Sequence, residues 1–383
     1  LILLLKTLYG TKQGAKQFWL YLMGLFQRHD YSYNRIDPCV YYRFGENGLT
    51  LWASWVDDLI CIAPTTDDVI KAKQDITTEV QCDDQGEMEE YIGCKITYDK
   101  TAGYIKVTQP VLLQSYQDEF ALPGSTPTTP AAPGTILLPT EEPTKVNASE
   151  HSLYRSAVGK LLHMMRWSRP DLLNAVRDTS RYMSNPSSSH FMAAQRIMKY
   201  CLSTPDAGFI LRPTGRWDGK DRNYKFIIRG KSDSEYCKDH TRKSIGGHVV
   251  YLMDAAIVMI SRMQRIVAMS VTEAELIQAC ECAQDMLYAA RFLQELGLLV
   301  ALPMILEMDN QGAIDLINNW SSTGRTRHID VRYKFLREMK EANIIRVVWC
   351  ASKTNEADVF TKNLPNTEFR RHSSNFVDGL ACD

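Results

Sequence analysis

The sequence predicts a multidomain chain of mixed α+β and α/β class that ends in a mixed five-stranded sheet flanked by helices. Its 383 residues suffice for two or three domains that each bury a core. Six prolines among Thr, Ala and Ser make residues 121–150 a linker without a core of its own. After it, three β-rich runs followed by helix, strand, helix and strand predict the mixed sheet.

The first block, residues 1–120, alternates helical and strand-like stretches. Residues 49–63 are typical of an apolar hairpin interrupted by two adjacent aspartates, Asp57 and Asp58. An Asp-Asp pair at a hairpin tip is by itself a weak signal, because polar residues are common in turns. The pattern therefore predicts a small sheet with an acidic tip and leaves the role of that tip open.

Two further blocks follow the linker. Residues 151–222 show helical periodicity punctuated by prolines, which predicts a module of three helices. Residues 223–370 are expected to contain the mixed sheet, and residues 371–383 a tail. In this third block we predict strands at 225–234, 247–253 and 256–270, a helix at 272–296, a strand at 304–309, helices at 311–318 and 328–342, a strand at 344–350 and a helix at 356–364.

The composition of the chain limits the classes of protein to which it can belong. A net charge of −1 gives no overall attraction to nucleic acid, so such a partner would need local basic patches. Ten scattered cysteines without a CxxC pair predict reduced thiols in an intracellular protein. The apolar opening, residues 1–5, is too short to span a membrane. Because the sequence does not begin with Met, we expect a piece of a longer protein or a gene model that begins late.

Four acidic residues of the third block lie at strand ends and helix starts. Asp233 ends the first strand, Glu275 lies early in the long helix, Asp309 ends the fourth strand and Asp358 opens the last helix. Such positions meet at one edge of a sheet, where open α/β sheets bind ligands. Crowded carboxylates repel one another by about 1 kcal/mol per pair near a surface, so their convergence predicts a balancing Mg²⁺. Taken singly, each is more often a cap, a turn or a solvated helix residue than a metal ligand.

The motifs around these carboxylates resemble the ribonuclease H domain of copia-type retrotransposon Pol polyproteins. They are SDSEYC at 232–237, SVTEAE at 270–275, DNQGA at 309–313, RTRHID at 325–330 and ADVFTK at 357–362. The resemblance implies that Asp233, Glu275, Asp309 and Asp358 are catalytic carboxylates that bind two Mg²⁺ ions, with Mn²⁺ as the alternative. We prefer Glu275 to Glu273 because the LIQA run that follows it resembles the residues after the catalytic Glu of ribonucleases H.

The earlier blocks resemble the reverse transcriptase of the same family. The motifs are LYGTKQ at 8–13, DPCVY at 37–41, WVDD at 55–58, YIG at 91–93, YRSAVG at 154–159, RPD at 169–171 and KYCL at 199–202. They imply a partial palm over 1–120, a thumb or connection over 151–222, and Asp57 and Asp58 as catalytic metal ligands of a polymerase. The family usually has Leu in place of Thr11, and Tyr in place of Trp55, whose bulk would alter stacking on the primer end.

The resemblance also bears on activity. The family's first polymerase aspartate would precede Leu1, so we expect the chain alone to polymerise poorly or not at all. The expected reaction is instead hydrolysis of the RNA strand of an RNA–DNA hybrid.

The implied partners are an RNA–DNA hybrid, a primer–template and the rest of the Pol polyprotein, but not a membrane. Candidate contacts to nucleic acid are Gln13, Arg242, Lys243, Asn310 and His328. His328 is equally typical of a residue that caps or braces its helix. The resemblance implies an intracellular location, in cytoplasmic particles or in the nucleus.

Two other functions compete with this interpretation. A decayed copy of the element would fold but at most bind nucleic acid weakly, although the four retained carboxylates argue against complete decay. An integrase-type strand-transferase would share the fold, but it is not expected to follow a palm-like hairpin and a helical module. Asp239 fits the family's acidic residue after the first strand, yet we expect it to act in a turn.

Overall fold

The computed structural model of the chain describes residues 10–140, 147–318 and 330–380. These residues form two compact units. The first consists of the described residues up to Met88, Gly215–Phe226 and Leu287–Ala301. The second consists of Glu89–Thr214, Ile227–Met286 and the described residues from Leu302 onward. Each unit thus combines segments that are distant in the chain, whereas the predicted blocks are contiguous. The boundaries of those blocks stay a prediction.

Helices and strands occur along the whole described chain. The helices are α1 (Lys12–Arg28), α2 (Thr66–Thr77), α3 (Pro110–Glu119), α4 (Ala148–Trp167), α5 (Leu173–Ser180), α6 (Ser188–Ser203), α7 (Val271–Glu295), α8 (Gln311–Asn318), α9 (Asp330–Glu341), α10 (Asp358–Thr361) and α11 (Asn366–Ser373). The strands are β1 (Ser32–Tyr33), β2 (Val40–Gly45), β3 (Gly48–Trp55), β4 (Asp58–Ile62), β5 (Glu90–Tyr91), β6 (Cys94–Asp99), β7 (Tyr104–Thr108), β8 (Gly208–Leu211), β9 (Lys225–Phe226), β10 (Ile228–Glu235), β11 (Ile245–Leu252), β12 (Ala255–Met263), β13 (Leu299–Val300), β14 (Met304–Met308), β15 (Ile345–Trp349) and β16 (Val377–Asp378). None of the described helices combines the length and apolarity that a bilayer crossing requires.

The first unit contains an antiparallel four-stranded sheet in the order β1-β2-β3-β4. Its core is aromatic: Phe26 of α1 stacks on Tyr41 of β2, with 4.1 Å between ring centroids. Thr11, which stands where the family usually has Leu, caps α1. Its side chain accepts a hydrogen bond from the Gly14 N–H at 3.0 Å. The predicted apolar hairpin is confirmed as β3 and β4.

The second unit contains the three helices predicted for the module, α4, α5 and α6. Asn147 and Glu150 form a capping box that fixes the start of α4. The buried faces of these helices contribute Tyr154, Val158 and Ile197 to a continuous apolar core. The pattern of apolar residues at helical spacing therefore predicted both the helices and the faces that they bury.

An antiparallel five-stranded sheet in the order β16-β8-β7-β6-β5 also belongs to the second unit. Its strands come from three of the predicted blocks. The residues predicted to form a tail provide its edge, since Val377 pairs with Phe209 of β8. Phe376 beside it is fully buried and stacks on Phe360 at 5.3 Å between centroids. Residues near the end of the described chain are therefore part of the packed structure.

The predicted mixed five-stranded sheet is confirmed, in the order β12-β11-β10-β14-β15. The pairs β12–β11 and β11–β10 are antiparallel, whereas β10–β14 and β14–β15 are parallel. α7 packs closely on this sheet at Gly230, where a Cβ atom would lie 2.6 Å from the Cys282 sulfur. The glycine is required there because any side chain would push the helix away from the sheet.

Two predicted elements extend further in the sequence pattern than in the structure. The strand predicted at 256–270 ends at Met263, because its partner Ile245 is the first residue of β11 and offers no further ladder. The helix predicted at 356–364 covers only Asp358–Thr361. Lys362 is already extended, and Pro365 follows, a residue that cannot continue a helix. Both predictions were wrong in length, although the elements themselves are present.

Candidate metal centre

Three carboxylates meet at one end of the mixed sheet. Asp233 lies on β10, Asp309 directly follows β14, and Glu275 lies near the start of α7. Their nearest oxygens all lie within 4.8 Å of one another. Because β10 and β14 are parallel neighbours, their carboxyl ends bring Asp233 and Asp309 to the same edge. These three residues together could hold a metal ion, and we refer to them as the carboxylate triad.

Glu275 is a deeply buried member of the triad, with 3% of its surface exposed. One carboxylate oxygen accepts a hydrogen bond from the Ser234 N–H at 3.2 Å, while the other, Oε2, is buried and has no hydrogen-bond partner among the residues that the structure describes. Burial raises the pKa of Glu275 well above its usual range, and the negative charges of Asp233 and Asp309 raise it further. A divalent cation would supply the missing partner and remove this repulsion, so the residues fit a metal site.

The other two triad residues are held by hydroxyl groups. The Thr361 hydroxyl donates to one oxygen of Asp233, and the Ser352 hydroxyl donates to Asp309 at 2.7 Å. Asp233 is 1% exposed, whereas Asp309 is only half-buried. The triad therefore has a closed side at β10 and a more open side at Asp309.

Asp358, the fourth predicted carboxylate, is connected to the triad through a cation. The Lys362 Nζ donates to Asp358 at 2.8 Å and to Asp233 at 3.1 Å. Burial, and after it the negative charge of Asp233, raise the pKa of Asp358 to about 7. The structure thus divides the predicted quartet into a triad and one carboxylate paired with a lysine.

Glu273, the alternative to Glu275, has a different position. Its carboxylate accepts a hydrogen bond from the Met269 N–H at 2.6 Å, and its own N–H donates to the Ser270 hydroxyl at 3.1 Å. This reciprocal arrangement caps the start of α7. In the structure Glu275, and not Glu273, belongs to the carboxylate triad.

Asp57 and Asp58 lie where the sequence pattern predicts, at the turn between β3 and β4 in the first unit. Both are exposed, and Val56 before them has a positive φ of 54°. Within the part of the chain that the structure describes, no third Asp, Glu, His or Cys joins them as a potential metal ligand. Trp55 at the end of β3 is 50% exposed.

The predicted nucleic-acid contacts are dispersed. Gln13 is exposed on the first turn of α1, Arg242 is exposed in the turn between β10 and β11, and Lys243 beside it is half-buried. Asn310 caps α8, since its Oδ1 accepts a hydrogen bond from the Ala313 N–H at 2.9 Å. His328 lies outside the described residues.

Sequence reasoning missed the three side chains that contact the carboxylates directly, namely Ser352, Thr361 and Lys362. Two of them belong to the ADVFTK motif, and Lys362 follows Asp358 at the i,i+4 spacing of a helical ion pair. That spacing was an available signal. Ser352 gave none, because its contact with Asp309 depends on how the loop after β15 folds back.

No protein-family model matches the chain. Over 371 residues, 95% of this chain, it is 32% identical to the retrovirus-related Pol polyprotein from transposon TNT 1-94 of Nicotiana tabacum, of which it covers 27%. Over 374 residues, 96% of this chain, it is 25% identical to the retrovirus-related Pol polyprotein from transposon RE1 of Arabidopsis thaliana, of which it covers 24%. The chain therefore spans about a quarter of the length of these polyproteins.

Among solved structures, the chain is similar to LC11-RNase H1, isolated from compost. The TM-score is 0.28 and the identity 14%, over 36% of this chain and 91% of that one. The family assignment depends on the polyproteins alone, whose similarity runs over nearly the whole chain. This chain belongs to the Pol polyproteins of copia-type retrotransposons, of which it is a segment.

Proposed function

We propose that the chain hydrolyses the RNA strand of RNA–DNA hybrids with the help of divalent metal ions, as a ribonuclease H. The observation that carries the proposal is the carboxylate triad, in which the described part of the chain offers no hydrogen-bond donor to the buried Glu275 Oε2. A buried anionic oxygen is costly unless it is paired. Mg²⁺ prefers such oxygen ligands and keeps several waters, which leaves room for a phosphate, and Mn²⁺ is the alternative ion.

When two such ions are bound, they supply an activated water and stabilise the leaving oxygen of the phosphodiester. The water oxygen bonds to phosphorus as the bond to the 3′-oxygen breaks, which leaves a 5′-phosphate and a 3′-hydroxyl. The chain's own part is to fix the carboxylates. Thr361 orients Asp233 and Ser352 orients Asp309, so the ligands do not have to be ordered when a metal binds.

The proposed substrate would be held through its sugar–phosphate backbone. Arg242 and Lys243 follow β10, the strand that carries Asp233, and are the candidates for phosphate contacts. Asn310, next to Asp309, has its amide nitrogen as a donor for the nucleic acid, because its oxygen caps α8. His328 remains a candidate from the sequence motif.

We further propose that Asp57 and Asp58 derive from a polymerase site that is incomplete in this chain. Two exposed carboxylates on one turn bind a metal poorly and do not align an in-line transfer. Gln13 would contact a primer–template in the complete polymerase. The remainder of the Pol polyprotein is the proposed partner that completes this site.

The test is cleavage of a labelled RNA–DNA hybrid in Mg²⁺ by the wild-type chain, Asp309→Asn and Asp315→Asn. Asp315 is an exposed carboxylate on α8 outside the triad and serves as the matched control. We expect cleavage by the wild type and Asp315→Asn, and a loss of about 100-fold or more in Asp309→Asn. Equal cleavage by all three would indicate a contaminating nuclease. No cleavage by any would favour an inactive remnant that at most binds nucleic acid.

A further inference from the structure

A lysine side chain lies inside the acidic centre. The Lys362 ammonium contacts Asp358 at 2.8 Å and Asp233 at 3.1 Å, and about two thirds of the side chain is buried. It reaches both carboxylates because it follows α10 directly, one helical turn after Asp358. Asp233 is thus shared between the lysine and the carboxylate triad.

The charges at this centre are unequally balanced. The centre contains four carboxylates, those of Asp233, Glu275, Asp309 and Asp358. Among the described residues, Lys362 forms ion pairs with two of them, Asp233 and Asp358. Within the described ranges, the Glu275 Oε2 has no hydrogen-bond partner. As far as the described residues go, a cation of the chain already neutralises the Asp233–Asp358 half of the centre, whereas the half at Glu275 Oε2 has no such partner.

An ammonium group and a divalent ion compete for the same carboxylate oxygens. The Lys362 ammonium lies 2.8 Å from an Asp358 oxygen and 3.1 Å from an Asp233 oxygen, which are the distances of charge-assisted hydrogen bonds, so it occupies oxygens that a divalent ion would also use. The flexible four-carbon stem of a lysine lets its ammonium move to solvent without backbone movement. Lys362 can therefore neutralise this half of the centre and still be displaced.

We propose that Lys362 is the resident cation of the Asp233–Asp358 half, so that a first divalent ion binds the carboxylate triad and a second ion must displace the lysine. This inference rests on the proposed metal centre and adds an order to its occupation. The second ion then binds more weakly than the first, because it has to displace a lysine of the chain itself. The lysine is a positioning and regulating residue, since its contacts are with metal ligands.

A purely structural role makes a different prediction. In that case Lys362 would only fasten α10 to β10, and its removal would lower stability without changing metal affinity. The two roles are distinguished by the affinity of the weaker metal site, because relief from competition strengthens that site whereas loss of a fastening contact does not.

The experiment is a Mn²⁺ titration of the full chain by calorimetry, with free Mn²⁺ followed by electron paramagnetic resonance. The variants are Lys362→Met, Lys362→Arg and, as a matched control, Lys353→Met at an exposed lysine. We expect a strong and a weak site in the wild type, and a weak-site Kd that falls by about tenfold in Lys362→Met. Lys362→Arg, which keeps the charge, and Lys353→Met should keep the wild-type values.

Three results would overturn the inference: an unchanged weak site in Lys362→Met, a single class of sites in the wild type, or the same tightening in Lys353→Met. If Lys362→Met does not fold, a tightened weak site in Lys362→Gln supports the inference and an unchanged one refutes it. Hybrid cleavage, measured separately, distinguishes this result from the proposed function. Ordered Mn²⁺ sites in a chain that cleaves nothing would support the lysine's role and refute the ribonuclease.

Discussion

Glu273 and Glu275 lie two residues apart on α7, yet their carboxylates contact different parts of the molecule. The Glu273 carboxylate accepts from the Met269 N–H at 2.6 Å, whereas that of Glu275 accepts from the Ser234 N–H of β10 at 3.2 Å. Two residues correspond to about 200° around a helix, so side chains at this spacing point to opposite sides. One glutamate caps the helix and the other reaches the carboxylate triad.

This separation predicts opposite results for two conservative variants. Glu275→Gln should lower hybrid cleavage about 100-fold or more, because it removes a charged ligand from the triad. Without metal it should unfold at a higher temperature than the wild type, since the raised pKa of Glu275 shows that burial disfavours its charged form. Thermal unfolding in EDTA and a cleavage assay measure both effects.

Glu273→Gln is the matched control. It should cleave within about threefold of the wild type and lose about 1 kcal/mol of stability or less, the usual scale of a helix cap. If Glu273→Gln abolished cleavage while Glu275→Gln left it intact, the assignment of the two glutamates would have to be exchanged.

The meeting of carboxylates at one edge of the mixed sheet was predictable from the sequence, because the periodicity of apolar residues indicates where the strands lie. Asp233 lies two residues before the end of β10 and Asp309 directly follows its parallel neighbour β14, and any sequence that places them so brings them together. The choice of Glu275 came from the family resemblance, because the spacing alone allowed both glutamates of α7. The structure adds the physical reason, which is the capping contact of Glu273.

Long-range pairings were not predictable. Val377 pairs with Phe209 across more than 160 residues of sequence, and neither strand is long enough to give a periodic signal. Lys362 belongs to the ADVFTK motif, but its role depends on the early end of α10, which turns the chain and carries the ammonium to Asp233. Such contacts depend on where an element ends, which is the least predictable part of a pattern.

Gly247 should be intolerant of a side chain. It pairs with Asp233, and a Cβ atom there would lie 2.8 Å from both the Phe360 Cβ and the Thr361 Cγ2. Gly247→Ala would therefore displace α10, destabilise the protein by about 1–3 kcal/mol and lower cleavage, since Thr361 orients Asp233. Urea unfolding and hybrid cleavage would measure the two losses.

The matched control for that variant is Gly159→Ala. Gly159 lies within α4, and a Cβ atom there would meet nothing within 4 Å. Alanine should stabilise the helix by up to about 1 kcal/mol. Equal effects of the two substitutions would show that the close packing of α10 on β11 contributes neither to stability nor to cleavage.

Acid should weaken the contact between Arg181 and Asp239. The Arg181 Nη2 lies 2.5 Å from an Asp239 oxygen, and Thr241 donates its N–H to the other at 2.9 Å, in agreement with the expected turn role. Burial alone would raise the pKa of Asp239, but the hydrogen bonds from Thr241 and the positive charge of Arg181 lower it to about 2. Because the folded pKa is below the unfolded value of about 3.9, the stabilisation is present above about pH 4 and lost as pH falls towards 2.

Asp239→Asn tests this directly, because an amide has no such titration. At pH 7 the variant should be less stable than the wild type by about 3 kcal/mol, the lower end of the cost of breaking a buried ion pair. The difference should shrink between about pH 4 and pH 2, as measured by urea unfolding at several pH values. A difference that stays constant over this range would exclude Asp239 as the titrating group.

Metal binding should depend on the carboxylate triad and not on the acidic hairpin tip. Asp57 and Asp58 are exposed, and among the described residues no third Asp, Glu, His or Cys joins them, so water competes effectively for any ion there. The triad instead offers a buried Glu275 oxygen that no described residue hydrogen-bonds. A ligand at 100 times its Kd stabilises a protein by about 2.7 kcal/mol, which raises Tm by several degrees in a chain of this size.

We therefore expect Mg²⁺ to raise the Tm of the wild type and of the double variant Asp57→Asn, Asp58→Asn equally, and to have little effect on Asp309→Asn. The same preparations should extend a primer on a template poorly or not at all, whether or not the hairpin aspartates are present. A Tm response that disappears in the hairpin variant, or robust extension by the wild type that it abolishes, would show instead that Asp57 and Asp58 form a working metal site. The two variants differ only in which acidic groups are neutralised, so their comparison with the wild type assigns the bound metal to one of the two places.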